Sequence, residues 1–87
     1  MEQHNLIILS TAHLHPLEAE KIDKFSYVAN CEQALVNTSP EMRDYYYQNG
    51  LVCMCDLLKV LQEKYNANYV LFDPDANTTD ELKVYDW

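Results

Sequence analysis

The apolar positions of this chain change period within one short stretch, Leu51 to Asp75, and the change marks two elements. Leu51, Met54, Leu58, Leu61 and Tyr65 recur at steps of three or four, the spacing of one helical face. Cys53, Leu57 and Val60 widen that stripe, while Asp56, Lys59, Gln62 and Glu63 take the other side, with Lys59 and Glu63 at i,i+4. Asn66, a residue that tolerates the left-handed conformation, is placed to end the helix. Tyr69-Val70-Leu71-Phe72 then follows as a continuous aromatic and β-branched run stopped by Asp73-Pro74-Asp75, the pattern of a central strand.

Leu6-Ile7-Ile8-Leu9 is a second run of the same kind and predicts another buried strand. Pro16, with Glu18 and Glu20 behind it, predicts a short helix from Pro16 to Asp23 that buries Leu17, Ala19 and Ile22. Phe25 to Ala29 alternates as a strand, with Phe25, Tyr27 and Ala29 on one face, and Gln33 to Thr38 is its expected partner. Ser39-Pro40-Glu41 is a helix start, with a capping serine, proline in the first turn and an acid beside it, so a helix runs on to about Gln48. Asn49-Gly50 closes it. The rival reading is a hairpin, because Asn-Gly between Tyr45-Tyr46-Tyr47 and Leu51-Val52-Cys53-Met54 is also a strong two-residue strand turn. Leu82 to Trp87 alternates and predicts a last strand with Trp87 packed.

These elements predict one α+β domain spanning residues 1–87, two-layered in the α/β manner, with a small mixed β-sheet and helices packed mainly on one face. The strands near 5–10 and 68–73 form its centre, joined by a right-handed crossover.

Charge is the compositional outlier: fourteen acids against six bases give a formal net charge of −8. That balance disfavours nucleic acid and anionic membrane as direct partners and suits a basic protein. The acids cluster late, at Asp73, Asp75, Asp80, Glu81 and Asp86. The chain has three cysteines. Cys53 and Cys55 point apart on a helix and sit in or beside its apolar stripe, where inert core thiols are expected, and no Cys-x-x-Cys spacing suggests zinc. With Cys31 the odd count, and no signal peptide in MEQHNLIILS, the composition fits a reducing, cytoplasmic setting. No segment approaches the roughly 20 apolar residues that span a bilayer.

Two motifs, Leu9-Ser10-Thr11-Ala12-His13 and Phe72-Asp73-x-Asp75 followed by a terminal Tyr85-Asp86-Trp87, resemble a family of small uncharacterised proteins carried on plasmids, prophages and other mobile elements. The resemblance covers about half the chain. It marks Ser10, Thr11, His13, Asp73, Asp75, Tyr85, Asp86 and Trp87 as motif residues of structural use. Members carry a Tyr-Gly-aromatic hairpin in the middle, of which Tyr47-Gln48-Asn49-Gly50-Leu51 could be the remnant, so the resemblance favours the hairpin. It implies a mobile-element setting and cytoplasmic action, and brings no activity with it.

Candidate chemistry is sparse. His13 and His15, with Asp73 and Asp75 and also Asp86, could form a hydrolase-like metal constellation if the first strand lies beside the Leu71–Asp73 end. The structural alternative has Ser10, Thr11, His13 and the carboxylate of Asp73 or Asp86 satisfying one another at the strand ends. Ser10, His13 and an aspartate could be named as a nucleophilic triad, but no Gly-x-Ser-x-Gly elbow exists, and a single glycine excludes a phosphate loop. No cofactor is expected. Three consecutive tyrosines on a helix cannot all be buried, so Tyr45, Tyr46 and Tyr47, beside Glu41 and Asp44 and joined by Asp80 and Glu81, are the candidate protein interface. The resulting expectation is a small acidic accessory protein that binds a basic protein, in its sharper form a mobile-element inhibitor of host defence. The metal-dependent hydrolase and a homodimer paired through an exposed apolar face are the alternatives.

Overall fold

The computed structural model describes residues 5–26 and 33–85, the side chain of Asp23 excepted. A three-stranded mixed sheet packs one face against two mutually contacting helices, an α+β arrangement. The strands are β1 (Leu6–Ser10), β2 (Ala34–Asn37) and β3 (Tyr69–Asp73); the helices are α1 (Pro16–Ala19), α2 (Pro40–Gln48) and α3 (Val52–Tyr65). The sheet order is β1-β3-β2. β1 runs parallel to β3 with Leu6 opposite Tyr69 and Ser10 opposite Asp73, and β2 runs antiparallel with Ala34 opposite Phe72. The last strand in sequence is therefore the middle strand in space, while β1 is an edge rather than a second central strand.

Side chains alternate across the sheet. Leu9, Val70, Phe72, Ala34 and Val36 are buried, and they pack with Met54, Leu58 and Leu61 of α3, Tyr46 of α2, and Leu51. The other face keeps Leu6 and Ile8 52% and 55% exposed. The expectation of a fully buried first strand is corrected accordingly: β1 is an edge with one face covered, so its apolar run alternates in burial.

α2 begins as the Ser39-Pro40 signal predicts, with the Ser39 hydroxyl accepting from Met42 N. Its end settles helix against hairpin. Gly50, at φ +88°, donates to Tyr47 O while Leu51 N donates to Tyr46 O, the paired closing bonds of a Schellman cap. The positive φ of the chain's one glycine is thus used to end a helix, and the hairpin favoured by the resemblance is absent. α3 closes on Asn66 in the left-handed conformation, as expected. Its buried face is Met54, Leu58 and Leu61, while Cys53, Val60 and Tyr65 are exposed.

Three further expectations are corrected. The first helix stops at Ala19, followed by a 3-10 turn at Ile22–Lys24; Leu17 is exposed and Glu18 is buried in its place, because Glu18 turns inward to a helix terminus described below. β2 pairs with β3; of its expected partner strand, Phe25 and Ser26 lie outside any strand, and Tyr27, Val28 and Ala29 fall outside the described residues. Residues 82–85 form no strand: Tyr85 N donates to Ala12 O, beyond the end of β1, and Leu82 N to Thr79 O within its own loop. Asp86 and Trp87, like Cys31, lie outside the described residues. Among the described residues no helix is long and apolar enough to cross a membrane.

Candidate functional site

The helical stagger of α2 sorts the three tyrosines. At 100° per residue Tyr46 falls on the sheet side with Met42, and its ring is fully buried with the hydroxyl accepting from Asn37 N at 3.2 Å. Tyr46 is therefore a core residue and leaves the candidate interface. Tyr45 and Tyr47 stay 49% and 56% exposed. Across the outer arc of α2 the order by angle is Tyr47, Asp44, Gln48, Glu41, Tyr45, and all five are exposed. Two tyrosines thus frame two carboxylates on one helix face. Tyr45 is steadied by an edge contact with the Phe25 ring, 5.5 Å between centroids and 74° between planes.

Asp80 and Glu81 belong to a different place. The Glu81 carboxylate accepts from the Tyr65 hydroxyl and lies 3.8 Å from Lys64 Nζ, at the C-terminal end of α3. The length of α3 puts that end about 20 Å from its first turn, which adjoins Tyr47.

Among the described residues Ser10, Thr11, His13 and Asp73 do not bond one another at the strand ends, and Asp86 lies outside those residues. Ser10 caps its own 3-10 turn, its Oγ accepting from Ala12 N at 3.1 Å, with Thr11 the first residue of that turn. Asp73 accepts from Gln33 Nε2 at 2.8 Å through one oxygen and from Asp75 N at 2.9 Å through the other. His13, buried, pins the C-terminal segment: Nδ1 donates to Lys83 O at 2.9 Å and Nε2 accepts from Thr79 N at 3.1 Å, which fixes the Nδ1–H tautomer. His15 caps α1, its Nδ1 accepting from Leu17 N, and its ring meets that of Tyr85 edge-on at 5.2 Å. Of the four proposed metal ligands, His13, His15 and Asp73 are each engaged with separate partners. Among the described residues no three His, Cys, Asp or Glu side chains converge on a metal position.

One buried carboxylate escaped the pattern of the sequence. Glu18 reaches the start of α3, where Oε2 accepts from Cys53 N at 2.9 Å and Oε1 from Met54 N at 2.8 Å. α3 has no capping side chain of its own at Leu51, so an acid from another element supplies it. Hydrogen bonding to Glu18, then burial and the carboxylate's charge, push the Cys53 thiol pKa up. Cys53 is exposed, so the core position expected for it is corrected, and the Glu18 carboxylate beside it favours the protonated thiol. Burial, then the Cys53 thiol, raises Tyr85 as well.

A family model, that of the C-terminal domain of a family of unknown function, DUF5983, matches residues 6–87. The chain belongs to the DUF5983 family. The match takes in every described element from β1 to the segment pinned by His13, so the α2 face and the Glu18 cap both lie inside the DUF5983 domain. No curated protein and no solved structure matches.

Proposed function

We propose that this chain is a non-enzymatic binding protein that docks a basic protein segment on the outer face of α2. The observation that carries this reading is the pair of half-exposed rings, Tyr45 and Tyr47, framing Asp44 and Glu41 on one helix face. A cation beside Asp44 meets the Tyr47 ring at i,i+3, and one beside Glu41 meets the Tyr45 ring at i,i+4, so the face suits a segment with two basic groups. The net charge of −8 draws a basic partner toward the whole molecule. In its sharper form the partner is a nucleic-acid-binding protein of a host defence system, whose phosphate-binding surface the carboxylates occupy in the cytoplasm. The resemblance of the terminal motifs to mobile-element proteins supports that setting.

The test places a photo-crosslinking amino acid at position 47 of the full chain and captures partners at low salt from host lysate. A basic protein crosslinked at that position, released by salt and lost when Glu41→Lys and Asp44→Lys are combined, is the expected result. Capture that survives the double charge reversal overturns the reading.

A further inference from the structure

Residues 79–83 are fastened in two places. The His13 ring, just past the end of β1, holds Thr79 N and Lys83 O. Between them the Glu81 carboxylate accepts from the Tyr65 hydroxyl at the end of α3, with Lys64 Nζ 3.8 Å away. Tied in this way, the segment roofs the space between β1 and α3 and leaves a pocket of about 220 Å3 beneath it. Ile7 and Leu9, two residues apart on one face of β1, form one wall, and Leu61 and Tyr65, four apart on α3, form the other. Leu82 lines it from the roof.

The pocket is graded from floor to mouth. Leu9 and Leu61 are buried, Ile7 and Leu82 half-buried, and Tyr65 and Glu81 exposed. Its depth is therefore aliphatic, and a carboxylate stands at the opening. Sites for drug-sized ligands start at about 300 Å3, whereas an apolar cavity of about 150 Å3 is enough to take up benzene, so the volume here suits one small ring system.

Charge narrows the choice further. An anion is repelled by Glu81 and by the net charge of −8. A cation must compete with Lys64 for the carboxylate. A neutral donor need not, because a carboxylate has about four lone-pair positions and can accept from Tyr65 and from an occupant together.

We propose that this pocket binds a small neutral ring compound carrying one N–H or O–H donor, with the ring against Leu9, Leu61 and Leu82 and the donor on the Glu81 carboxylate. The site lies at the opposite end of α3 from the turn that adjoins Tyr47, so it does not rest on the partner reading above.

The test adds indole to the isotopically labelled full chain and follows methyl resonances. Saturable binding of one indole per chain is expected, with shifts concentrated at Ile7, Leu9, Leu61 and Leu82. N-methylindole, which has no donor, should bind about tenfold more weakly, and the anion indoleacetate should not bind. Leu82→Trp fills the pocket and is expected to abolish binding. Glu81→Leu, at an exposed position, should retain the fold and bind indole and N-methylindole equally. No saturable shift up to the solubility limit of indole overturns the proposal. So do shifts scattered over the surface, equal affinity of the wild type for indole and N-methylindole, indoleacetate binding as tightly as indole, or full binding by a folded Leu82→Trp.

Discussion

Glu18 and Met54 stand 36 residues apart in sequence and share a 2.8 Å hydrogen bond, carboxylate to backbone N–H, in the interior of the molecule. Through it a four-residue helix, α1, holds the first turn of the longest helix in place. Removing the acid leaves the Cys53 and Met54 amides without their acceptor. Glu18→Ala is expected to cost about 2–3 kcal/mol, and Glu18→Gln, which keeps one acceptor and loses the charge, about 1 kcal/mol. Urea denaturation of the two variants beside the wild type measures both; equal midpoints for all three would show the cap to be idle.

The same carboxylate sets the reactivity of Cys53. Alkylation by iodoacetamide, read site by site by mass spectrometry, is expected to be slow at Cys53 near neutral pH despite its exposure, and to speed up in Glu18→Gln as the thiol pKa falls back. An unchanged Cys53 rate in that variant is the contrary result.

Cys53 and Tyr85 both have raised pKa values in the folded state. The folded chain therefore holds both protons more tightly than the unfolded chain does. Their contribution to stability is complete below the ordinary thiol and phenol values and is lost as pH rises through the higher folded values. The stability of the wild type should accordingly fall more steeply with alkaline pH than that of the combined variant Cys53→Ala, Tyr85→Phe, by denaturant titration at stepped pH.

His13 joins the end of β1 to residues 79–85 through both ring nitrogens. His13→Ala is expected to cost about 2 kcal/mol and to free the C-terminal segment before the rest of the molecule. Faster exchange of the Thr79 amide and earlier proteolysis after residue 76, with β3 still protected, would mark that local release.

Adjacent tyrosines should behave in opposite ways. Tyr46→Phe strips the hydroxyl from the Asn37 amide and is expected to cost about 1 kcal/mol, whereas Tyr46→Ala opens the core at about 3–5 kcal/mol. Tyr47→Ala, on the exposed arc, should stay within about 0.5 kcal/mol. Thermal melts of the three variants give the comparison.

The elements legible in the sequence were those with a local cause. α3 and its Asn66 end follow from period and backbone preference, α2 from Ser39 and Pro40, and β3 from an unbroken apolar run. What escaped was decided by partners distant in sequence. Leu6 to Leu9 reads as buried, and only the strand order makes it an edge. Leu82 to Tyr85 alternates like a strand, but it bonds to His13 and Ala12 beyond the end of β1 instead of to a neighbouring strand. Glu18 looked like an acid at its own helix start, and no local rule could assign it to a helix that begins at Val52. Of the candidate site, it was legible from adjacency alone that the three tyrosines could not all be buried, whereas which ring turns inward depended on where the sheet lies.

The position of β3 also sets the order in which the chain can fold as it is made. β1 and β2 are not neighbours in the sheet; each pairs with residues 69–73. While the ribosome is still adding α3, both earlier strands exist without a mate, and only the α2–α3 pair has its contacts available. The sheet closes in one late step, once residues 69–73 have emerged. A product released before residue 69 would hold two orphan strands and no sheet, so premature termination there should leave material for proteolysis and no partly active fragment.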